Sequence, residues 1–453
     1  MAQPGLKRAA IILAAGMGTR MKSSLPKVMH KVAHRPMVDW SVALAREAGC
    51  DPIICVLSPN APTTIEHIEA TLGKDAIAIQ SPAQGTGDAV RCAESKLAGF
   101  DGEVVVLYGD SPLIPLSAIS DLFDALATGA SVGVLGFEAA DPGAYGRLIV
   151  SEDGGLDRIV EAKDATPDEL AVTFCNSGVM AGRSDAMFRH LSKVTNNNAK
   201  GEFYLTDVVG IARAAGERVV AVACNEADVL GVNSRVELAE AEAAFQYRRR
   251  LELLMDGVTM ADPSSVYLAY DTQIENDVTL EPGVVFGPGV SIESGATIRA
   301  FSHLEGCHVG PGAIIGPFAR LRPGAILGED VRIGNFVEVK NVTMGAGAKA
   351  NHLAYLGDGS VGAGSNIGAG TIFCNYDGYN KARTEIGTGS FVGSNSALVA
   401  PVQIGDGAYV GSGSVITTSV PDNALSVGRG KQRNIDGWAT SFRAKQEAKK
   451  DGE

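Results

Sequence analysis

The sequence of 453 residues has few positive charges for its size, and this excludes one large class of partners. It contains 39 Lys and Arg against 52 Asp and Glu, which gives a net charge of −13. Sequence-independent binding to DNA or RNA needs a basic face that neutralises phosphates. We therefore expect no nucleic-acid partner, and any anionic substrate must be bound by a few local cations.

Paired cysteines and long apolar runs are also missing. The seven cysteines are scattered, odd in number and without the close spacing of a metal site, so we expect reduced thiols in a cytoplasmic protein. No apolar run is long enough to span a bilayer, and we expect no membrane insertion. The short apolar run after Lys7 and Arg8 predicts a buried first strand rather than a signal peptide.

A six-residue period dominates the second half of the chain. An aliphatic residue returns every sixth position in three registers, and 17 of these 18 positions are Ile, Leu or Val. Such a period fits neither a helix nor a hairpin sheet, but it fits short strands joined by tight corners, three to a coil. The positions are Ile274, Leu280, Phe286, Ile292, Ile298, Leu304, Val309, Ile315, Leu321, Leu327, Ile333, Val339, Ile386, Val392, Leu398, Ile404, Val410 and Ile416.

Glycine supports this interpretation. Of the 55 glycines, 29 lie between Gly283 and Gly430, mostly at corners where a positive φ is needed. A flexible Gly-rich segment is the alternative, but it would not keep one phase over six consecutive hexads. The pattern resembles the hexapeptide-repeat acyltransferases, and that resemblance implies a left-handed parallel β-helix.

The rest of the chain predicts two further parts. Residues 1–233 alternate apolar runs with helical stretches, which predicts a Rossmann-like α/β domain with a mostly parallel sheet. Residues 234–257 predict a linker helix that ends at Gly257, and 258–453 form the β-helix with a frayed charged tail from Arg443. Six strands are expected in the first part: Ala9–Leu13, Ile53–Leu57, Ala76–Ile79, Val104–Tyr108, Val132–Phe137 and Val219–Ala223.

The hexads are interrupted once. Between Val339 and Ile386 the phase slips, and only Val361 and Ile367 keep a six-residue step. Polar and aromatic residues are concentrated there. Insertions in a solenoid project from its surface and often carry the function, so we expect chemistry in this segment.

The first predicted strand leads directly into L-A-A-G-M-G-T-R-M-K-S-S-L-P-K, residues 13–27. The glycines present backbone N–H groups to a phosphate, and Arg20 and Lys27 add positive charge. The spacing is not that of a P-loop, and a tight strand-to-helix turn without a ligand is the simpler alternative. The longer motif resembles nucleotidyltransferases that join a nucleoside triphosphate to a sugar 1-phosphate.

Further motifs fit the same resemblance. Q-S-P-A-Q-G-T-G (80–87) corresponds to the base-recognition loop and Y-G-D (108–110) to a metal carboxylate. The resemblance implies Mg²⁺ bound by Asp110 and Asn233, although a turn residue and a helix N-cap are the alternatives. It implies contacts with UTP or the UDP-sugar at Leu13, Ala14, Ala15, Gly16, Lys27, Gln80, Gly85, Thr86, Tyr108, Gly109, Asp110, Gly146, Glu161, Asn176 and Asn233.

Four more motifs occur in order across residues 318–381: F-A-R-L-R-P-G, G-N-F-V-E-V-K, K-A-N-H-L-A-Y-L-G-D and N-I-G-A-G-T-I-F-C-N-Y-D-G-Y-N-K. Together with the N-terminal motifs they resemble a family of bacterial bifunctional enzymes that acetylate glucosamine 1-phosphate and then attach a uridylyl group. The resemblance covers about residues 7–438. It implies acetyl-CoA and UTP as co-substrates, Arg20 and Lys27 as stabilisers of the triphosphate, and a homotrimer formed through the β-helix.

Acetyl transfer to an amine needs a base, and His352 is the candidate because imidazole titrates near neutral pH. A structural histidine at a coil corner is the better interpretation for His303 and His308. Arg322 and Lys340 are 18 residues apart, which is one coil of three hexads. We expect them to stack and to bind one phosphate.

The resemblance assigns the remaining residues of this second site. It implies that Tyr355 and Asn366 contact the sugar and that Glu338 orients His352. It places acetyl-CoA at Ala369, Asn375, Tyr376, Ser394, Ser412 and Arg429, with serine at position 412 where alanine is common. There are two alternatives. The first is a sugar nucleotidyltransferase with one activity and an inert solenoid, and the second is a scaffold without catalytic activity. The polar residues of the N-terminal motifs and those between Arg322 and Lys381 disfavour both.

Overall fold

The computed structural model describes residues 6–450. It divides into two compact units, one ending at Arg249 and one beginning at Arg250. The predicted linker helix is present as Arg235–Met255, whereas the domain boundaries at 233 and 257 stay a prediction. No helix among residues 6–450 is long and apolar enough to cross a bilayer.

A nine-stranded sheet forms the centre of the first unit. Its strands are β1 (Lys7–Ala14), β2 (Cys50–Leu57), β3 (Ile77–Ile79), β4 (Gly102–Tyr108), β5 (Val132–Glu138), β6 (Arg147–Val150), β7 (Leu156–Val160), β8 (Phe174–Arg183) and β9 (Val219–Cys224). They follow the order β9-β5-β8-β4-β1-β2-β3, and β6 pairs with β8 and β7. A separate short ladder joins Lys31–Val32 to Arg35–Pro36.

Helices cover both faces of this sheet, so its central strands are apolar throughout instead of alternating. In β1, Ala10 and Ile12 pack into one core while Ala9 and Ile11 pack into the other. The helices of the whole chain are α1 (Met37–Glu47), α2 (Pro62–Leu72), α3 (Thr86–Cys92), α4 (Leu116–Ala127), α5 (Pro167–Leu170), α6 (Ser184–Leu191), α7 (Asp207–Ala214), α8 (Arg235–Met255) and α9 (Trp438–Lys450).

All six predicted strands are confirmed, and the sheet is mostly parallel as expected. The sequence did not reveal β6, β7 or β8. Strand β8 runs antiparallel between β4 and β5, although its sequence F-C-N-S-G-V-M-A-G-R mixes polar residues and glycines. Its pairing on both sides, rather than its own propensity, makes it a strand.

The second unit is a parallel β-helix whose strands form three columns, which we call A, B and C. Column A contains Thr259–Met260, Thr279–Leu280, Thr297–Ile298, Ile314–Ile315, Arg332–Asn335, Lys349–His352, Asn366–Ile367, Phe391–Val392, Tyr409–Val410 and Leu425–Ser426. Column B contains Val285–Phe286, His303–Leu304, Arg320–Leu321, Ile372–Cys374, Ala397–Val399 and Val415–Ile416. Column C contains Gln273–Ile274, Ser291–Ile292, His308–Val309, Ile326–Leu327, Thr384–Ile386 and Val402–Ile404. Strands Glu338–Met344 and Tyr355–Val361 turn a corner and belong to columns B and C.

All 18 hexad positions are buried, which confirms that the six-residue period forms the core of the second unit. In each two-residue strand of the columns except the last, Leu425–Ser426, the first residue faces outward and the second faces the core. The columns therefore display one surface residue per coil, stacked on the equivalent residue of the coil before.

The interruption between Val339 and Ile386 is smaller than the sequence indicates. Coils continue through it, since Tyr355 pairs with Ile372, 17 positions on. The core positions keep the six-residue step in two short runs, first Met344, Ala350 and Leu356, then Val361, Ile367 and Phe373. The sequence obscured them because Met, Ala and Phe replace Ile, Leu or Val, and because the step shortens to five residues before each run. One loop, residues 376–382, adds length and projects, so the expected insertion is wrong for most of this segment.

The charged tail also differs from expectation. Helix α9 spans Trp438–Lys450, and none of its residues is buried. The prediction of a frayed segment from Arg443 is therefore wrong as far as Lys450, and residues 451–453 lie outside the described residues.

Close stacking of coils predicts a position where even one methyl group is not tolerated. A Cβ atom on Gly334 would lie 1.9 Å from the carbonyl oxygen of Asn351 on the next coil. Gly334→Ala should therefore destabilise the second unit by about 1–3 kcal/mol, measured by calorimetry on the full chain. Gly430→Ala is the matched control, because nothing lies within 4 Å of its added Cβ atom. Equal effects of the two substitutions would contradict the packing argument.

Candidate active sites

A cavity of about 400 Å³ opens at the carboxyl ends of β1 and β4 in the first unit. Ligands of open α/β sheets bind at this edge. Eleven of the residues expected to bind nucleotide line the cavity: Leu13, Ala14, Ala15, Gly16, Lys27, Gln80, Gly85, Thr86, Tyr108, Asp110 and Asn233. The fold thus brings together residues that are widely separated along the chain.

Lys27 lies at the charged centre of this cavity. Its ammonium donates to Oδ2 of Asp110 and, at 3.0 Å, to Oδ1 of Asn233. The side chains of Lys27 and Asp110 are only 11% and 16% exposed, so water screens their attraction weakly. The backbone of Val232 donates to the carbonyl of Asp110 at 2.9 Å, which keeps Asn233 beside it.

A glycine makes this position of Lys27 possible. A Cβ atom on Gly18 would lie 2.4 Å from Cβ of Lys27, and Gly18 has a φ of +62°. Any other residue there would clash and adopt a strained backbone conformation. Arg20, the second expected cation, is exposed in the short turn Thr19–Met21 and does not line the cavity.

Asp110 and Asn233 fit a divalent cation. Their side-chain oxygens converge on the point that the Lys27 ammonium occupies. A hard cation such as Mg²⁺ takes oxygen ligands and keeps several waters, so two protein oxygens suffice beside phosphate oxygens. Within residues 6–450, no group of three or more His, Cys, Asp and Glu side chains could hold a metal ion by itself.

Residues 202–205 close the cavity over the expected base-recognition loop, residues 80–87. Gly87 donates its N–H to the carbonyl of Phe203 at 2.8 Å, and Leu205 donates to the hydroxyl of Thr86 at 3.0 Å. Glu202 lines the cavity, although the sequence did not indicate it. No local motif marks Glu202, because its position depends on a segment that is distant in sequence.

The residues expected around the sugar lie beside the cavity rather than in its lining. Asn176 donates its N–H to the carbonyl of Gly146 at 2.8 Å, which joins two of them. Gly109 donates to the carbonyl of Leu13 at 3.0 Å and links the ends of β1 and β4. These contacts keep the predicted sugar side close to the predicted nucleotide side.

Tyr108 connects the two sides. Burial raises the pKa of its hydroxyl, and the carboxylates of Asp110 and Glu161 raise it further. Burial also raises the pKa of Glu161, which accepts a hydrogen bond from Thr206 at 3.3 Å. Thr206 and Tyr204, whose buried hydroxyl has no partner in the described part of the chain, are sugar-side candidates that the sequence did not reveal.

In the second unit, Arg322 and Lys340 lie on successive coils, as their spacing predicts. Leu321 pairs with Val339, and Arg322 donates its N–H to the carbonyl of Val339 at 2.8 Å. Both cations therefore project from the same end of column B. The stacking prediction is confirmed.

Two carboxylates hold these cations. Glu338 accepts from Nη1 of Arg322 at 2.7 Å, and Asp358 accepts from Nζ of Lys340 at 3.3 Å. Burial alone would raise the pKa of Asp358, but its hydrogen bonds, including those from Asn375 and Lys340, outweigh burial and lower it. Asp358 therefore stays charged, and the sequence did not indicate it.

Tyr355 lies over the same end of column B. A Cβ atom on Gly357 would lie 2.4 Å from the hydroxyl oxygen of Tyr355, and Gly357 pairs with Lys340. Glycine at position 357 therefore leaves room for the tyrosine. We call Arg322, Lys340 and Tyr355 the column B patch, and its charge suits a sugar phosphate.

His352 is exposed at the corner between columns A and B. Its Nδ1 atom lies 2.9 Å from Oδ1 of Asn335 on the preceding coil. Because a carboxamide oxygen only accepts, Nδ1 donates in this contact, which leaves Nε2 as the basic nitrogen of the neutral ring. The expectation that Glu338 orients His352 is wrong: Glu338 contacts Arg322, and Asn335 orients the ring.

Three of the residues expected at acetyl-CoA stack in line with His352. Ala369, Ser394 and Ser412 occupy its position on the following coils, with a backbone hydrogen bond of 2.7 Å at each of the last two steps. At about 4.8 Å per coil, the line from His352 to Ser412 is about 14 Å long. Arg429 continues it, since its Cδ atom lies 3.8 Å from the Cβ position of Gly413.

The other expected residues of this site lie elsewhere. Asn375 and Tyr376 begin the projecting loop at the corner between columns B and C, where Tyr376 bridges to Lys381. Asn366 belongs to column A and so lies apart from the column B patch. One chain therefore divides the expected acetyl-transfer residues between two corners.

Known proteins match both parts of the chain. Residues 10–164 match the MobA-like NTP transferase domain, and residues 271–306, 306–341 and 383–418 match the bacterial transferase hexapeptide family. The bifunctional protein GlmU of Hyphomonas neptunium is 62% identical over 444 residues, which cover 98% of this chain and 96% of that protein. The chain belongs to the GlmU family of bifunctional proteins.

Other GlmU proteins are similar over the same length. That of Maricaulis maris is 57% identical over 443 residues, covering 98% of each chain, and that of Caulobacter vibrioides is 55% identical over 451 residues, covering 100% of this chain and 98% of its own. The hexapeptide match identifies the coils as a left-handed parallel β-helix. The unmatched stretch 342–382 includes the projecting loop.

Replacing Lys27 with methionine should open the position between Asp110 and Asn233 to metal ions. Methionine keeps the length of the side chain but removes the ammonium that competes for both oxygens. We expect Mn²⁺ to bind about three to ten times more tightly without nucleotide, about 0.7–1.4 kcal/mol, in a titration followed by electron paramagnetic resonance. Adding Asp110→Asn should remove the gain. Unchanged binding in Lys27→Met would show that the ammonium does not occupy the metal position.

Proposed function

We propose that this GlmU protein makes UDP-N-acetylglucosamine by two transfers at two sites. Acetyl-CoA acetylates glucosamine 1-phosphate on the β-helix, and UTP then gives its uridylyl group to the product in the first unit, with release of pyrophosphate. One observation carries the proposal: the chain matches bifunctional relatives over nearly its whole length. The cavity of the first unit and the stacking of Arg322 on Lys340 support it.

In the first unit, an oxygen of the sugar 1-phosphate attacks the α-phosphorus of UTP in line with the leaving pyrophosphate. One P–O bond forms and one breaks, so the protein must position the reactants and neutralise charge. Gln80, Gly85 and Thr86 bind the base. Lys27 neutralises the triphosphate inside the cavity, and Arg20, which lies outside the cavity lining, neutralises the part that extends beyond it.

Gly146, Glu161 and Asn176 bind the sugar in this reaction, with Tyr108 between them and the nucleotide. Asp110 and Asn233 would hold Mg²⁺, which supplies positive charge to the phosphate oxygens when bound. With both oxygens turned to such an ion, the Lys27 ammonium would contact the phosphates instead.

On the β-helix, His352 is the general base of acetyl transfer. Its Nε2 atom takes a proton from the sugar ammonium, and the amine then attacks the thioester carbon. A C–N bond forms and the C–S bond breaks, and the attacking nitrogen loses its second proton as the coenzyme A thiolate leaves and gains one, so that an amide and a free thiol result. Arg322 and Lys340 bind the phosphate of the sugar, and Tyr355 and Asn366 contact its ring.

Acetyl-CoA lies along the line that starts at His352. Ala369, Ser394 and Ser412 follow one another for about 14 Å, at about 4.8 Å per coil, which suits an extended cofactor. Arg429 adds a cation at the far end for its phosphates. Asn375 and Tyr376 complete the site from the other corner.

We further propose that neighbouring copies share this site in a homotrimer. Exposed apolar residues lie on columns A and B but hardly on column C, whose outward residues are polar in seven of eight cases. The apolar residues are Phe391, Tyr409 and Leu425 on column A and Ile372 and Val415 on column B. A cyclic trimer that packs column A against the column B of the next copy buries both and brings Asn366 to the neighbouring column B patch.

The chemistry of the chain also supports a cytoplasmic location and small-molecule partners. All seven cysteines are free thiols, which remain reduced in the cytoplasm. A net charge of −13 disfavours a nucleic-acid partner.

Separate measurement of the two activities tests the function. His352→Ala should lower acetyl transfer at least about 100-fold, because the base is lost, and leave uridylyl transfer from N-acetylglucosamine 1-phosphate intact. Asp110→Asn should do the reverse. Thiol release and pyrophosphate release measure the two transfers, and His308→Ala is the histidine control. Loss of both activities in one folded variant would overturn the two-site proposal.

Mixing two inactive variants tests the shared site. Asn366→Ala damages only column A and Lys340→Ala only column B, so each uniform trimer should be inactive in acetyl transfer. In randomly mixed trimers, about a quarter of the sites join two undamaged columns, and acetyl transfer should recover to about that fraction. As the control, each single variant is mixed with the double variant Asn366→Ala, Lys340→Ala. No site in these mixtures joins two undamaged columns, so acetyl transfer should not recover. No recovery in mixed trimers would place the whole site within one chain.

A further inference from the structure

The segment Lys22–Met29 carries Lys27, yet little of it is buried. Residues 22–25 are exposed, Lys22 has a φ of +48°, and Val28 alone is buried in this segment. So few buried contacts leave a segment free to move. Contacts outside the segment must therefore hold Lys27 between Asp110 and Asn233.

Arg235, the first residue of α8, contacts both ends of this segment. Its Nε atom donates to the carbonyl of Met21 at 3.3 Å, and its Nη1 atom lies 3.3 Å from Nδ1 of His30. Met21 and His30 directly flank the segment, and they are 1% and 6% exposed. We call these two contacts of one guanidinium the clasp.

His30 is suited to accept from the clasp. Burial lowers the pKa of its imidazole, and the charge of Arg235 lowers it further, despite a hydrogen bond with the backbone of Leu25. The ring is therefore neutral at neutral pH and offers a lone pair. A guanidinium only donates, so Nδ1 is the acceptor in this contact.

The same turn of α8 also holds Asn233. Asn233 donates its N–H to Oε2 of Glu237 at 2.6 Å, and Glu237 donates its own N–H to the hydroxyl of Ser234 at 3.3 Å. This capping fixes the start of the helix. Arg235 and Asn233 are consequently parts of one rigid turn.

We propose that Arg235 is a positioning residue for uridylyl transfer. Through the clasp it holds the Lys22–Met29 segment against the first turn of α8, and so keeps Lys27 opposite Asp110 and Asn233. The inference rests on the proposed uridylyl transfer. A cation that is already in place spares the cost of ordering the segment when UTP binds. The guanidinium donates in two fixed directions, which a lysine ammonium does not reproduce.

Steady-state kinetics of Arg235→Ala test this role. The KM for UTP should rise about tenfold, because UTP must now order the segment as it binds. The KM for the sugar phosphate and the rate of acetyl transfer should not change. A loss of folded protein alone would lower kcat without raising the KM for UTP, so this measurement separates positioning from simple destabilisation.

Limited digestion with trypsin provides a readout that needs no activity. Cleavage after Lys22 should be faster in Arg235→Ala than in the wild type, and UTP should restore protection. Arg46→Ala is the matched control, because Arg46 is also exposed and donates to a backbone carbonyl, that of Thr71 at 3.2 Å. It should change neither the KM for UTP nor cleavage.

Arg235→Lys keeps the charge but loses the two directed donors, so it should recover less than half of the lost affinity for UTP. If Arg235→Lys kept the full affinity for UTP, the charge of Arg235 alone would be sufficient, and the proposed role of the two directed hydrogen bonds would be wrong. A wild-type KM and wild-type cleavage in Arg235→Ala would also overturn it. If the wild type itself released no pyrophosphate, the proposed function would fail, while the digestion would still decide whether the clasp holds the segment.

Discussion

In the β-helix, the backbone of each coil hydrogen-bonds to the coils before and after it in parallel register, and the other features of the second unit depend on this register. A residue at one position of a coil lies on the equivalent residue of its neighbour. The same rule that stacks aliphatic side chains inside stacks Arg322 on Lys340 outside. It also extends the line of His352, Ala369, Ser394 and Ser412. The core and the site therefore depend on the same register. If the pairing of the coils shifted by one residue, the side chains that face the core would face outward and the outward ones would face the core.

The site in the first unit is built differently. There the sheet supplies a fixed edge, and segments distant in sequence meet on it. Lys27 reaches Asp110 and Asn233 because Gly18 lets the chain pass closely. The Lys27 ammonium and the Asp110 carboxylate are thus in place before any substrate binds, and the ammonium lies where a metal ion fits.

The two sites differ in what one chain provides. Nearly all residues expected at the nucleotide lie in one cavity of the first unit or directly beside it. The residues expected at acetyl transfer are divided between two corners of the β-helix, and the chain does not fold back to join them. Assembly with other copies is therefore a requirement for acetyl transfer but not for uridylyl transfer under the proposed function.

The sequence by itself determined the repeat, the six main strands of the first unit and the linker helix, and it proposed most residues of both candidate sites. Period, apolar runs and short motifs are local properties, and the spacing of Arg322 and Lys340 is one coil. It misjudged the segment 340–385, because Met344, Ala350 and Phe373 fill core positions where Ile, Leu or Val was expected, and because the six-residue step shortens to five before each short run. Tertiary structure alone decided that Asn335 rather than Glu338 orients His352, that Asp358 holds Lys340, and that Glu202, Thr206 and Arg235 lie near the first site. Each of these contacts joins residues from different strands or segments, and their distance in space depends on pairing and packing that no local pattern records.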